Sequence, residues 1–147
     1  MGHFFRALDR LAPLAKRVGT SLYIENMPFA FLPAIDELLA ALDTYGNDDL
    51  GILYDVANAW FIKEDIAGGL RKCARRLRMV HYSDTGHAVY RHDAVGLGTV
   101  PFAIVPPVLA EIGHTGQPML EIIAPQADKA IADSVARLVQ LGYGGAA

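Results

Sequence analysis

The chain reads as an α/β protein of about four parallel strands with flanking helices. Three observations predict this. Short apolar runs alternate with longer segments of helical spacing, in the order α-βα-βα-βα-βα. The runs Leu22-Tyr23-Ile24 and 50–54 (LGILY) are apolar on both faces, the pattern of strands covered by helices on both sides. Each of the four runs also ends in, or carries near its end, a residue type that ligates metals: Glu25, Asp55, His81 and Glu121.

The elements follow in order. Phe4, Leu8, Leu11, Leu14 and Ala15 space a helix over 4–17, weakened in its middle by Pro13, before Gly19 and Thr20 break it. The first strand, 22–24, ends at Glu25. Ile35, Leu38, Leu39 and Leu42 predict a second helix to about Tyr45, stopped by the turn signal Gly46-Asn47-Asp48-Asp49. The second strand, 50–54, ends at Asp55. Asp65 caps a third helix that runs through Arg76, and the third strand, 78–80, ends at His81. The loop 83–99 is long for a simple connection, and long loops in compact domains often carry function. Pro101 suits the first turn of a fourth helix to about Ile112, kinked by Pro106 and Pro107. The fourth strand begins at 118–120, with Glu121 and Ile122-Ile123 following. A last helix spans about 126–141, and the tail from Gly142 reads as frayed.

Composition narrows the function classes. With 147 residues, 52% of them hydrophobic, the chain has enough apolar material for a real core, so disorder is excluded. No apolar run is long enough to span a bilayer, and no signal peptide is visible. The single cysteine, Cys73, excludes a disulfide framework and a cysteine-based zinc site. A net charge of −3 gives no support to nucleic-acid binding. These features predict a cytoplasmic protein with no membrane and no nucleic-acid partner. The basic run Arg71, Lys72, Arg75, Arg76 and Arg78 reads as a solvated helix face, and Cys73 as packed and inert.

The strand ends carry the chemistry. In parallel α/β folds, sites are built at the C-terminal edge of the sheet. Four strands bring three carboxylates and one imidazole to one rim. A lone strand-end carboxylate also serves as a helix cap, and a lone histidine as a satisfied core residue, but four such residues on consecutive strands point to a common task. Three close carboxylates repel one another unless they share protons or a cation neutralises them. This donor set suits Mn²⁺ or Mg²⁺ first, with Co²⁺ and Zn²⁺ as further choices.

The motifs at these positions resemble the xylose isomerase-like TIM barrels, which include sugar isomerases and epimerases, inosose dehydratases and apurinic endonucleases. The matching segments are Leu22-Tyr23-Ile24-Glu25-Asn26, Gly51-Ile52-Leu53-Tyr54-Asp55-Val56-Ala57-Asn58-Ala59 and Val80-His81-Tyr82-Ser83-Asp84. His92-Asp93-Ala94-Val95-Gly96-Leu97-Gly98 and Pro118-Met119-Leu120-Glu121-Ile122 complete the set, which keeps the family's order over roughly 5–141. The resemblance implies the C-terminal half of a (β/α)8 barrel. It implies that Glu25, Asp55, His81 and Glu121 bind one divalent metal, with Glu25 and Glu121 also the catalytic acid–base pair. The reaction implied is sugar, sugar phosphate or polyol isomerisation or epimerisation by proton transfer through a metal-stabilised enediolate. An inosose dehydratase-like lyase is the alternative enzyme, a non-catalytic partial domain needing a partner chain is another, and an endonuclease ranks last.

Two departures separate the chain from parts of the family. Where members often have Asp-x-x-His, with the His on substrate, this chain has Asp55-Val56-Ala57-Asn58; Asn58 hydrogen-bonds a hydroxyl but shuttles no proton near neutral pH. Where the multi-zinc endonucleases have Asp-x-His, this chain has Tyr90-Arg91-His92. His92 reads as a further metal ligand, a substrate contact or a surface histidine, and Arg91 as an anion binder or a solvated cation. Asp84 reads as a residue that orients the imidazole or a loop, and Trp60 as pocket lining or core. His87 lies where the epimerases place an arginine.

A full (β/α)8 barrel takes about 250 residues, so residues 1–147 read as a single, incomplete barrel domain. Four strands leave two open sheet edges. The expectation is a fragment of a longer protein, a chain that pairs with a missing N-terminal half-barrel, or a homodimer of half-barrels, acting on a small sugar or polyol.

Overall fold

One sheet of four parallel strands organises the protein, with strand order β1-β2-β3-β4. The structure is a computed structural model that describes residues 1–143. The strands are β1 (Tyr23–Glu25), β2 (Gly51–Asp55), β3 (Leu77–Tyr82) and β4 (Met119–Leu120). The helices are α1 (Gly2–Arg17), α2 (Ile35–Tyr45), α3 (Val56–Phe61), α4 (Ile66–Cys73), α5 (Val105–Glu111) and α6 (Ala127–Gln140). Sequential strands are neighbours, so the sheet grows in one direction, as in one half of a TIM barrel.

β2 is the buried centre: Ile52, Tyr54 and Asp55 have no exposed surface. Its register pairs Ile24 with Ile52 on one side and Asp55 with His81 on the other. His81 in turn pairs with Met119. A register shift beside Ile52 and Leu53 lets β3 carry one extra residue, Arg78, against β2. Leu38, Leu42, Val56, Leu70, Val80, Val105 and Leu138 close the core.

The structure adjusts several sequence-based boundaries. α1 runs through Pro13 without interruption. Leu8 is buried and Phe4, Phe5 and Ala12 pack on the core, so tertiary packing outweighs the hydrogen bond that proline removes. α2 ends where Gly46 takes φ 77°, a left-handed cap that glycine adopts without strain. The helix expected over 65–76 is shorter, α4, and a separate short helix, α3, begins directly after Asp55. α5 is preceded by a 3₁₀ turn at Phe102–Ile104, and Pro106 and Pro107 fall in its first turn, where missing N–H groups cost little. β3 runs one residue past each end of the expected 78–81, so His81 lies within it, and β4 stops before Glu121. Of the tail expected to fray, Tyr143 is buried, edge-on to Tyr82 at 5.1 Å, with its hydroxyl donating to Phe102 O; residues 144–147 lie outside the described residues.

The basic run divides. Arg71 forks onto Glu111 and Lys72 pairs with Asp36, both at the surface. Arg76, however, is only 3% exposed and donates to Asp43, Asp48 and the carbonyls of Asn47 and Leu50. It is a buried brace at the end of the sheet away from Glu25, Asp55, His81 and Glu121, not part of a solvated face.

Candidate metal centre

Parallel register delivers the four strand-end residues to one place. Glu25, Asp55, His81 and Glu121 each offer one ligand atom, and these atoms all lie within 4.8 Å of one another. Asp55 is completely buried; its Oδ1 accepts the backbone N–H of Asn58 at 2.7 Å and so caps α3. Its Oδ2 is buried without a hydrogen-bond partner. Such an oxygen is costly unless a cation or proton meets it. Three carboxylates and an imidazole with one orphaned buried oxygen therefore fit a divalent cation.

The electrostatics agree with that fit. Burial raises the Asp55 carboxyl well above the usual carboxylate range, and the charges of Glu25 and Glu121 push the same way, against the Asn58 N–H. Glu25 is also raised, by burial first and then by Glu121, against the opposing influence of His81, His92 and the Asn58 amide. The site thus gathers more negative charge than its surroundings compensate.

Neighbouring residues hold the four side chains in place. Asn26, fully buried, accepts from the Asp55 N–H at 2.7 Å and donates to the Asp55 carbonyl at 3.1 Å. Asn58 is turned inward: its Nδ2 donates to Glu25 Oε1 at 3.0 Å and its Oδ1 accepts from the Tyr90 hydroxyl at 2.6 Å. His81 Nδ1 lies 3.2 Å from Glu121 Oε2, and His92 Nδ1 lies 3.3 Å from the same oxygen. His92 is 8% exposed and also meets Ser83 Oγ and the Tyr90 hydroxyl, so it belongs to the site and is not a surface loop histidine.

The other sequence-chosen residues separate. Asp84 lies on the loop and orients it: Oδ1 accepts from Thr85 N and Val100 N, and Oδ2 from Gly96 N. Gly96, at φ 92°, and Gly98, where a Cβ would collide with Asp84 and the Thr85 backbone, let the loop wrap that carboxylate. Trp60 donates to Thr99 Oγ1 at 2.9 Å and stacks on His87 at 4.3 Å, joining α3 to the loop. Arg91 is exposed, its backbone N–H donating to Thr85 Oγ1. Sequence reasoning did not single out Tyr90, Ser83 or Asn26. Asn26 and Ser83 each sit directly after a strand, the one positional cue available; the irregular loop gives none for Tyr90.

Residues 1–141 match the family described as xylose isomerase-like TIM barrel, and the chain belongs to it. Among solved structures, a xylose isomerase domain protein from Planctomyces limnophilus superposes with a TM-score of 0.77 at 26% identity, covering 95% of this chain and 51% of that one. A 3-keto-D-glucoside 4-epimerase from E. coli gives 0.78 at 21% identity, over 92% and 52%. A probable 3-DHS dehydratase from Bacillus anthracis gives 0.78 at 14% identity, over 92% and 55%. The chain thus spans about half the length of the solved structures it matches. No curated protein matches it significantly. Among the described residues, no helix is long and apolar enough to cross a membrane.

Proposed function

We propose that the chain carries the metal and proton-transfer site of a divalent-metal-dependent sugar isomerase or epimerase. The observation that carries this reading is the cluster of Glu25, Asp55, His81 and Glu121, with the orphaned Asp55 Oδ2 at its buried side. Mn²⁺ or Mg²⁺ suits its oxygen-rich donor set. When bound, the cation supplies polarisation of the carbonyl and hydroxyl oxygens of the sugar.

The chain's own residues do the rest. Asp55 and His81 come from the two inner strands, while Glu25 ends one outer strand and Glu121 directly follows the other. Such a pair brackets a substrate lying over the sheet end. One glutamate takes the proton from the carbon beside the carbonyl and the other returns one, and a general base works best when its pKa is drawn up toward the working pH. Burial and the nearby Glu121 charge draw Glu25 that way. The Asn58 amide holds Glu25, and His81 and His92 flank Glu121.

The same reading makes this chain one half of a barrel, completed by a second (β/α)4 unit. β1 and β4 each lack an outer neighbour among the described residues. The terminal helices also expose apolar residues at helical spacing, Leu11, Leu14 and Val18 on α1 and its cap, and Ile131, Val135 and Val139 on α6. Sedimentation of the pure chain should show association.

The test is a panel of aldoses, ketoses and ketosugars incubated with the Mn²⁺-loaded protein. Products of unchanged mass, lost with EDTA and in Glu121→Gln, are expected. Turnover that survives both treatments contradicts the reading, and a product lighter by one water assigns the site to the dehydratase class.

A further inference from the structure

The loop 83–99 reaches back to the ligand cluster through one hydroxyl. The Tyr90 oxygen lies 2.6 Å from Asn58 Oδ1 and 2.7 Å from His92 Nε2. Asn58 is completely buried and His92 nearly so, so water does not replace these partners. On their far sides, Asn58 Nδ2 lies 3.0 Å from Glu25 Oε1, and His92 Nδ1 lies 2.9 Å from Ser83 Oγ and 3.3 Å from Glu121 Oε2.

Donor bookkeeping gives this chain a direction. An ionised carboxylate only accepts, so the Asn58 amide turns its NH₂ to Glu25 and its carbonyl to Tyr90. Tyr90 has one hydroxyl hydrogen and gives it to Asn58 Oδ1. Toward His92 it then acts only as an acceptor, which requires a proton on Nε2. Hydrogen bonds therefore run from His92 to Tyr90 to Asn58, and from the other end of the same amide to Glu25. A flipped Asn58 would set two acceptors against each other at Glu25.

We propose that Tyr90 is a positioning residue of the site: its hydroxyl locks the Asn58 amide with its NH₂ on Glu25 Oε1 and couples the His92 imidazole to that arrangement. The proposal rests on the reading of Glu25 as a metal ligand. Without the hydroxyl, buried Asn58 Oδ1 loses its donor and His92 Nε2–H its acceptor, so nothing on that side fixes which way the amide faces. An amide free to rotate no longer holds its NH₂ on Glu25. The Tyr90 ring packs at 5.3 Å on Phe29 and 5.2 Å on Phe61, contacts that phenylalanine preserves. Tyr90→Phe therefore isolates the hydroxyl.

Two measurements on the full chain test this. The first is ¹⁵N NMR of the histidine rings in metal-free protein. His92 Nε2 is expected to carry a proton in the wild type, and its ring signals to shift in Tyr90→Phe; a bare Nε2 in the wild type, or unchanged signals in the variant, overturns the proposal. The second is a Mn²⁺ titration of Tyr90→Phe, Asn58→Ala and the double variant. Tyr90→Phe is expected to weaken binding about tenfold, the low end of the range for direct partners of metal ligands, because its hydroxyl acts through Asn58. Because Tyr90 acts through Asn58, the double variant should bind no more weakly than Asn58→Ala alone; additive losses, or an unchanged affinity in Tyr90→Phe, overturn the proposal. A wild type that binds no Mn²⁺ refutes the metal reading, and the His92 spectra then decide the Tyr90 assignment by themselves.

Discussion

Asn26 clamps Asp55 from both sides of one residue. Its side chain accepts the Asp55 N–H at 2.7 Å and donates to the Asp55 carbonyl at 3.1 Å, continuing the β1–β2 pairing one step past the end of β1. Both groups are buried, so the clamp fixes the backbone that aims the Asp55 carboxylate. Asn26→Ala leaves two buried backbone groups unpaired and should cost about 2–4 kcal/mol of stability. It should also weaken Mn²⁺ binding. Urea unfolding with a parallel Mn²⁺ titration checks both, and a variant as stable and as tight-binding as wild type refutes the clamp.

Asp55 imposes a cost on the metal-free protein. Its carboxyl is raised well above the usual range, by burial and then by Glu25 and Glu121. The unfolded chain, with a carboxyl pKa near about 4, ionises first as pH rises, so native stability falls from that point up through the raised native pKa. Metal-free Asp55→Asn should accordingly be more stable than wild type near neutral pH, with the difference closing as pH falls toward about 4. Saturating Mn²⁺ should reverse the order by stabilising only the wild type. Melting curves across pH, with and without metal, measure this; a less stable metal-free Asp55→Asn at neutral pH contradicts it.

Arg76 braces the opposite end of the sheet. At 3% exposure it serves the Asn47 and Leu50 carbonyls and two aspartates. The aspartates are themselves more than half exposed, so most of the loss in Arg76→Met comes from the carbonyls and from packing. A destabilisation of about 2–3 kcal/mol is expected, with Mn²⁺ affinity unchanged. Equal stability of the variant in denaturant would remove the brace from the account.

The legible part of this protein lay in its strands. Apolar runs closed by Glu25, Asp55, His81 and Glu121 announce both the parallel sheet and the gathering of these four side chains, because a parallel register carries strand ends to one rim. α3 escaped notice: Val56, Ala57, Asn58 and Ala59 are all buried, so no polar face gives the segment a helical period, and its start depends on the Asp55 cap. Arg76 looked like its basic neighbours because sequence spacing does not reveal which cation is drawn under a turn. Tyr90 and Ser83 sit in a loop whose path is set by Asp84 accepting from Thr85, Gly96 and Val100, a long-range arrangement with no local signature. Asn58 was visible as a departure from the family pattern, but its use by both Glu25 and Tyr90 required coordinates.

In the proposed reading, Glu25, Asp55, His81 and Glu121 together hold one divalent cation. Calorimetric titration of the pure, metal-free chain with Mn²⁺ near neutral pH tests it most directly, with Asp55→Asn and Glu121→Gln alongside. One saturable site per chain is expected in the wild type, lost in Asp55→Asn and weakened at least about tenfold in Glu121→Gln. No saturable binding in the wild type, or the same affinity in all three proteins, would contradict it.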